Sequence, residues 1–258
     1  MPILKLEGLV LRNLRMGDTS RVVTLLSREL GKWSGVAKGV RAPKSRFGAS
    51  LELLSHSDLV VYFRPGRDLQ VISDGTLETE FRGLLGRSER FHFACAVTEF
   101  LDRILEEEVA FPELFDLTLR VLALMESAPV GRLSYLLRAF QLRVAGWLGY
   151  APRLGDCVVC RSIEGAAGFS PIEGGVVCPG CLPGHPSSLP ISQETLGLLR
   201  SLQKGSLPRD PSVAAVREVD RIAEAFLSTH IDRYRGLRSL RALGDLGRLK
   251  HPDGASSG

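Results

Sequence analysis

ILKLEGLVLRNLRMGDTSRVVTLLSRELGKWSGVAKGV, Ile3 to Val40, decides how the first third of the chain is read. It breaks into three runs rich in Leu, Val and Trp, punctuated at Gly17-Asp18 and again before Gly31. Such runs fit a pleated, half-buried surface, and Gly with Asp supplies the turns between them. The pattern continues through LELLSHSDLVVYFR, Leu51 to Arg64, and LQVISDGTLE, Leu69 to Glu78. Five short strands within residues 1–80 predict a small closed barrel.

Among small five-stranded barrels, the OB-fold is the one whose face and inter-strand loops commonly grip single-stranded nucleic acid. From residue 81 the apolar period lengthens to that of helices. In RGLLGRSERFHFACAVTEFLDRILEEE, Leu84, Phe91, Cys95, Thr98, Leu101 and Leu105 fall on one stripe, with Glu99, Asp102, Arg103 and Glu106 outside it. Pro112 opens a second helix, and the break at Pro129 and Gly131 opens a third with Leu133, Leu136, Leu137, Phe140, Val144 and Trp147 facing inward. Residues 151–190 hold too little apolar material for a core of their own. Helical pattern returns in 191–245, with Ser192 capping one helix and Asp210-Pro211 opening another through Val213, Val216, Val219, Ile222 and Phe226. The expected fold class is α+β multidomain: an OB-fold barrel over 1–80, a helical domain over 81–150 with an embedded zinc knuckle over 151–190, C-terminal helices over 191–245 that pack on the helical domain, and a disordered tail over 246–258.

The chain has 258 residues, 44% of them hydrophobic and 24% charged, with a formal net charge of +4. These are the proportions of a chain that buries a core. The surplus of cations lies at the two ends of the sequence. No apolar run is long enough to cross a membrane, and Glu7 interrupts the place where an export signal needs its apolar centre. A cytoplasmic, nucleoid-associated protein is expected, and reduced cysteines with it.

Cys157, Cys160, Cys178 and Cys181 form C-x2-C-x17-C-x2-C, the spacing of a four-thiolate zinc site. Two tight turns bring four sulfurs to about 2.3 Å from one tetrahedral Zn²⁺. Four sulfur ligands close the coordination sphere, so one structural zinc ion is expected rather than a catalytic one. His185, four residues beyond Cys181, is an alternative ligand; Cys95 lies on a helical core stripe.

Between Lys32 and Ser50 there are five cations, Lys32, Lys38, Arg41, Lys44 and Arg46, and no acid. Gly35, Gly39 and Gly48 loosen the backbone and Pro43 keeps part of it out of a strand ladder. One reading is a solvated hairpin loop. The other is a mobile phosphate clamp between barrel strands, with Trp33 or Phe47 either stacking on bases or buried in the core. Five neutralised phosphates of a single strand would give a slope of about −3.5 in log affinity against log salt. A second basic stretch, HIDRYRGLRSLRALG, places Arg233, Arg235, Arg238 and Arg241 on an amphipathic surface helix, an auxiliary site at best.

The chain lacks G-x-x-x-x-G-K-[ST], H-E-x-x-H, G-x-S-x-G and G-x-G-x-x-G. ATPase, zincin and hydrolase readings lose their support, and no enzymatic activity is expected. The alternatives are a protein-binding scaffold and a zinc-dependent nucleic-acid hydrolase.

The segment AKGVRAPKSRFGASLEL, and the G-Y-x-P-x-L-x-x-C-x-x-C run from Gly149 to Cys160, resemble the RecO family of bacterial recombination mediators, over nearly the whole chain to about residue 245. The resemblance implies DNA repair and recombination through binding of single- and double-stranded DNA and annealing of complementary strands. With RecR as partner, such proteins assist RecA loading onto strands coated by single-stranded-DNA-binding protein, whose acidic tail they bind. By position it implies DNA contacts at Lys32, Lys38, Arg41, Lys44 and Arg46, and zinc ligands at Cys157, Cys160, Cys178 and Cys181. Arg138 and Arg143 are candidate receptors for the acidic tail.

Overall fold

The computed structural model of the protein describes residues 2–42, 45–85, 88–163 and 165–243. The expected disordered tail, 246–258, lies outside the described residues. The chain divides into two compact units, Met1–Val130 with the residues from Leu237 onward, and Gly131–Gly236. The boundary at Val130 falls inside the region that the sequence reading groups as one helical domain.

The first unit opens with five strands, β1 (Ile3–Met16), β2 (Ser20–Ser27), β3 (Gly31–Ala37), β4 (Ser55–Tyr62) and β5 (Gln70–Glu80). They close into a barrel in the order β1-β2-β3-β5-β4. All neighbours are antiparallel except β3 and β5, whose parallel pairing of Gly35–Ala37 with Gln70–Ile72 supplies the closure. Strand side chains alternate between faces, so Leu6, Val10, Val23, Leu25, Trp33, Leu59, Val61 and Ile72 all point inward and form the core. The long β1 serves two partners, with Ile3–Leu9 pairing to β4 and Gly8–Met16 to β2. A bulge between Val10 and Arg12 resets its alternation, so that Asn13 turns inward and donates its side-chain amide to the Leu51 carbonyl.

Three helices follow in the same unit: α1 (Arg82–Leu85), α2 (Ser88–Ile104) and α3 (Pro112–Ser127). In α3 the buried side chains Leu114, Phe115, Thr118, Val121, Leu122 and Met125 recur every three to four residues, the period of one helical face. Pro112 stands in its first turn, where a missing N–H costs nothing. The outward-facing pair Leu9 and Leu26 is buried where α2 packs on β1 and α3 on β2. Arg28 ties the layers together: it pairs with Glu7 at 2.9 Å and with Asp116 of α3, and lies over the Phe115 ring. Gly31, at φ +70°, lets the chain after α2 approach, since a Cβ there would lie 1.9 Å from the Val109 oxygen.

The second unit holds α4 (Leu133–Trp147), a small sheet of β6 (Gly168–Ser170), β7 (Gly175–Val177) and β8 (Leu189–Pro190), then α5 (Gln193–Gln203) and α6 (Val213–His230). Helices α4, α5 and α6 pack mutually. Ser192 caps α5 by accepting from the Thr195 N–H. The cap of α6 is Ser212 rather than Asp210, because its hydroxyl is the one that reaches the Ala215 N–H, at 3.1 Å. The basic C-terminal stretch is not one helix. It ends α6 at His230, turns, and becomes helical again only at 238–243.

Candidate nucleic-acid interface and metal centre

Strand β3 separates the expected cations. Its outward side chains are Lys32, Ser34 and Val36, leading to Lys38 just past its end, about 20 Å beyond Lys32 at the usual strand rise. Lys32 lies at the helix-covered end and is 7% exposed. Its ammonium donates to the Asp102 carbonyl in the last turn of α2 at 2.8 Å, and its own carbonyl accepts from the Glu108 N–H. A cation at a helix C-terminus is well placed electrostatically, and here it fastens barrel to helix. Lys32 is therefore not part of an exposed basic loop. The sequence could not reveal this, because the cover comes from residues far along the chain.

Lys38, Arg41 and Arg46 are exposed. No carboxylate among the described residues pairs with any of the three. Lys44 lies outside the described residues. Nor are the segment's described residues, 38–42 and 45–51, a loose projection. It turns at Gly39 with φ +72°, and the Arg41 N–H donates to the Thr19 carbonyl in the turn between β1 and β2. Phe47 and Leu51 then enter the barrel core, and Ser57 and Ser55 hold the carbonyls of Ser50 and Ala49 at 2.8 and 2.7 Å. Burying two large apolar side chains stabilises this path by several kcal/mol, at about 1.5–3 each. Arg46 lies over the Phe47 ring, 5.4 Å from its centroid. Both aromatics offered for base stacking, Trp33 and Phe47, are buried in the core.

Strand register adds cations that the linear reading missed. Arg15 of β1 stands directly opposite Arg21 of β2, and Arg21 opposite Ala37, the residue before Lys38. Like charges directly opposite one another destabilise a sheet, so this pairing is not a stabilising device. Glu52 offsets one of them by pairing with Arg21 at 2.7 Å. Exposed Arg64 and Arg67 lie in the loop between β4 and β5, which leads back to Gln70 beside Gly35. Only the pairing of the strands brings these residues together.

In the second unit Cys157, Cys160, Cys178 and Cys181 converge, with all four sulfurs within 4.8 Å of one another. The Cys160–Cys178 sulfur separation is 3.6 Å, close to the roughly 3.8 Å edge of a tetrahedron built on zinc–sulfur bonds of about 2.3 Å. The β6–β7 hairpin delivers Cys178, whose own N–H donates to the Cys157 sulfur at 3.4 Å. Burial pushes the Cys157 thiol up, but N–H donors from Cys160, Cys178 and Val159 outweigh it and bring the group down to about 6. Hydrogen bonds from Cys181 to the sulfurs of Cys160 and Cys178 push Cys181 up to about 12. Protein groups alone thus hold one sulfur ionised and another protonated, and a divalent cation is what would keep all four as thiolates. His185 is not in the cluster; its Nδ1 meets the Cys181 carbonyl at 3.0 Å.

Arg138 is buried among α4, α6 and the segment after it. Its guanidinium meets Asp220 at 3.0 Å, Glu224 at 2.9 Å and Gln141 at 2.8 Å, and the Tyr234 hydroxyl donates to Glu224. Burial pushes the Tyr234 phenol up to about 12. Arg138 is engaged within its own unit by two carboxylates and an amide. Arg143 donates to the Gln203 carbonyl and lies over Trp147.

Comparison with known proteins bears on both units. The family model described as Recombination protein O N terminal matches residues 1–81, and the one described as Recombination protein O C terminal matches 87–241. The chain is 36% identical over 255 residues to the DNA repair protein RecO of Anaeromyxobacter dehalogenans strain 2CP-C, covering 96% of this chain and 99% of that one. It is 32% identical over 241 residues to the DNA repair protein RecO of Symbiobacterium thermophilum, covering 90% and 94%. Similarity to the protein of the same name from Rhodopirellula baltica is 34% over 199 residues, 76% of this chain and 73% of that one.

Proposed function

The chain belongs to the RecO family of DNA repair proteins, and from that premise we propose that its barrel is an OB-fold that binds DNA by neutralising phosphates with Lys38, Arg41, Lys44 and Arg46. The observation that carries this reading is the exposure of Lys38, Arg41 and Arg46 on a pinned loop with no carboxylate paired to any of them among the described residues. Neutralising two strands at once lowers their mutual repulsion, so complementary bases pair without nucleotide hydrolysis. Annealing is then an electrostatic activity, and the protein acts as a recombination mediator rather than an enzyme.

The four cysteines hold one Zn²⁺ in this reading, and the ion cross-links a segment too poor in apolar residues to fold alone. RecR, RecA acting downstream, and the acidic tail of the single-stranded-DNA-binding protein are the partners the family resemblance implies. The tail needs a receptor other than Arg138. A cytoplasmic, nucleoid-associated location goes with DNA as the partner. No helix among the described residues is long and apolar enough to cross a membrane.

The test is a salt titration of single-strand binding together with a strand-annealing assay. With Lys32 withdrawn, four phosphate contacts give a slope of about −2.8 in log affinity against log salt. Affinity indifferent to salt, or annealing unchanged when Lys38, Arg41, Lys44 and Arg46 are all replaced by Ala, would overturn the reading.

A further inference from the structure

Arg15 and Arg21 share more than a register position. After the bulge, β1 resumes its alternation with Asn13 turned inward, and Val23 and Ala37 point inward from β2 and β3. Two residues further along their strands, Arg15 and Arg21 fall on the same inner side, in line with Ala37, at the end of the barrel where β3 gives way to Lys38. They therefore stand at the barrel mouth and not on its outer wall. Residues 47–54 cross this mouth: Phe47 and Leu51 enter the core, the Asn13 amide holds the Leu51 carbonyl, and the Leu54 N–H donates to the Val10 carbonyl at 3.2 Å. Glu52 rides on that crossing segment, and its carboxylate reaches Arg21 at 2.7 Å.

One carboxylate for two guanidinium groups is an incomplete match. The Arg21 side chain is only 19% exposed and is held by Glu52, while Arg15 is exposed and no carboxylate among the described residues pairs with it. Directly opposed residues have Cβ atoms about 4.5–5.5 Å apart, so both side chains can close on one anion. A phosphate diester offers two free oxygens and can take two planar forks; the Glu52 carboxylate, 53% exposed, gives one oxygen to one of them. Lys38 follows Ala37, and the Arg41 N–H donates to the Thr19 carbonyl in the turn that joins the two arginine-bearing strands, so the pair adjoins the basic loop. Asp18 in that turn, and Asp74 two residues beyond the Ile72 that pairs with Ala37, are exposed and form no ion pair among the described residues.

We infer that Arg15 and Arg21 form a seat for one phosphate and that Glu52 is its internal competitor, holding Arg21 in the free protein and yielding it when a phosphate arrives. The inference rests on the DNA-binding reading above and concerns how that site is regulated. Exchanging one anion for another leaves Arg21 paired throughout, so the exchange costs no more than one part-exposed ion pair. The carboxylate acts as a threshold. A lone anion meets a partner already in place, whereas a chain of phosphates gripped by Lys38, Arg41 and Arg46 holds its next phosphate at high effective concentration beside the seat and displaces Glu52. The other role Glu52 can play is to pin residues 47–54 over the mouth, and that role predicts an effect of opposite sign: removing the pin loosens the segment that carries Arg46 and weakens binding.

The experiment titrates a single-stranded oligonucleotide against the full chain over a range of salt, for the wild-type protein, Glu52→Gln, Arg21→Ala, the two combined, and Arg15→Ala with Arg21→Ala, with a melting curve of each. A fifth seated phosphate takes the wild-type slope in log affinity against log salt from about −2.8 to about −3.5, and loss of both arginines should return it to about −2.8. Glu52→Gln keeps an amide oxygen beside Arg21 but removes the charge, and should tighten binding about 1.5- to fivefold, the worth of one exposed ion pair. In the Arg21→Ala background the same change should do nothing. Weaker or unchanged binding by Glu52→Gln, an equal gain with and without Arg21, or a slope unmoved by loss of both arginines would each overturn the inference. Should an arginine variant fail to melt cooperatively, the wild-type slope and Glu52→Gln decide alone. If Glu52→Gln is inert while replacing Lys38, Arg41 and Arg46 abolishes binding, the competitor fails and the DNA-binding reading stands. Full binding by that triple variant sinks the reading itself.

Discussion

Glu99 and Ser239 stand 140 residues apart in sequence, yet one Glu99 carboxylate oxygen accepts both the backbone N–H of Ser239 at 2.9 Å and its hydroxyl at 2.7 Å. The other oxygen accepts the Arg238 N–H at 3.0 Å and meets Arg103 one turn along α2. Residues 238–243 are helical, so the carboxylate from α2 satisfies the first N–H groups of a helix that returns to the first unit.

That clasp predicts a pH dependence. Burial raises the Glu99 carboxyl, but the Ser239 and Arg238 donors outweigh it and hold the group below its ordinary value. A depressed carboxyl contributes stability that is fully present above its unfolded value of about 4.3 and is lost as pH falls through the lower, folded value. The protection of the Arg238 and Ser239 amides, measured against the intrinsic exchange rate at each pH, should be high near neutrality and fall on acidification. Glu99→Gln should show low protection at all pH values. Exchange that is equally slow in that variant would show that the clasp adds nothing.

Lys32 and Arg41 should behave as opposites. Arg41→Ala is expected to reduce the salt slope of DNA binding by about 0.7 and leave thermal unfolding nearly unchanged. Lys32→Ala should leave the slope alone and destabilise the fold by roughly 1–3 kcal/mol, since it orphans the Asp102 carbonyl beneath the barrel. Paired salt titrations and melting curves separate the two.

Removing Zn²⁺ with a chelator should loosen 157–181 and lower the melting temperature while leaving the salt slope of DNA binding in place. The cobalt-substituted protein should show the spectrum of four thiolates. Cys160→Ser should weaken metal retention. A spectrum with fewer than four sulfur ligands would point to an open site.

Arg138→Ala should cost about 1–3 kcal/mol, because it removes a buried guanidinium and its hydrogen bonds, while Asp220 and Glu224, each about a third exposed, are left partly solvated. Replacing Arg138 and Asp220 together should cost less than the sum of the two single changes, the signature of a shared network. Chemical denaturation of the three variants measures this.

What the sequence made legible follows from how local each signal is. The Leu-, Val- and Trp-rich runs over Ile3–Val40 and the helical period of the α2 segment belong to contiguous residues, and strands and helix appear where the pattern puts them. The four-cysteine set is legible because C-x2-C fixes geometry within each turn, leaving only the meeting of two turns to the fold. Lys32, Arg138 and the facing pair Arg15 and Arg21 were illegible for a common reason. Whether a lysine sits under a helix, an arginine meets two acids on α6, or two arginines face one another across strands depends on register and packing between distant segments. Charge runs in one dimension carry no such information. The Asp210 cap failed at shorter range, since Ser212 competes for the same amide two residues later.

The Glu99 clasp also places a condition on how the chain is made. A ribosome adding about 5–20 residues per second needs roughly 7 to 28 s to pass from Glu99 to Ser239. Throughout that interval the nascent first unit carries a buried-to-be carboxylate without its helix, while the whole of Gly131–Gly236 is still being synthesised. The segment that completes the first unit is made only after the whole of Gly131–Gly236, so a chain stopped before Arg238 would emerge with its first unit unfinished.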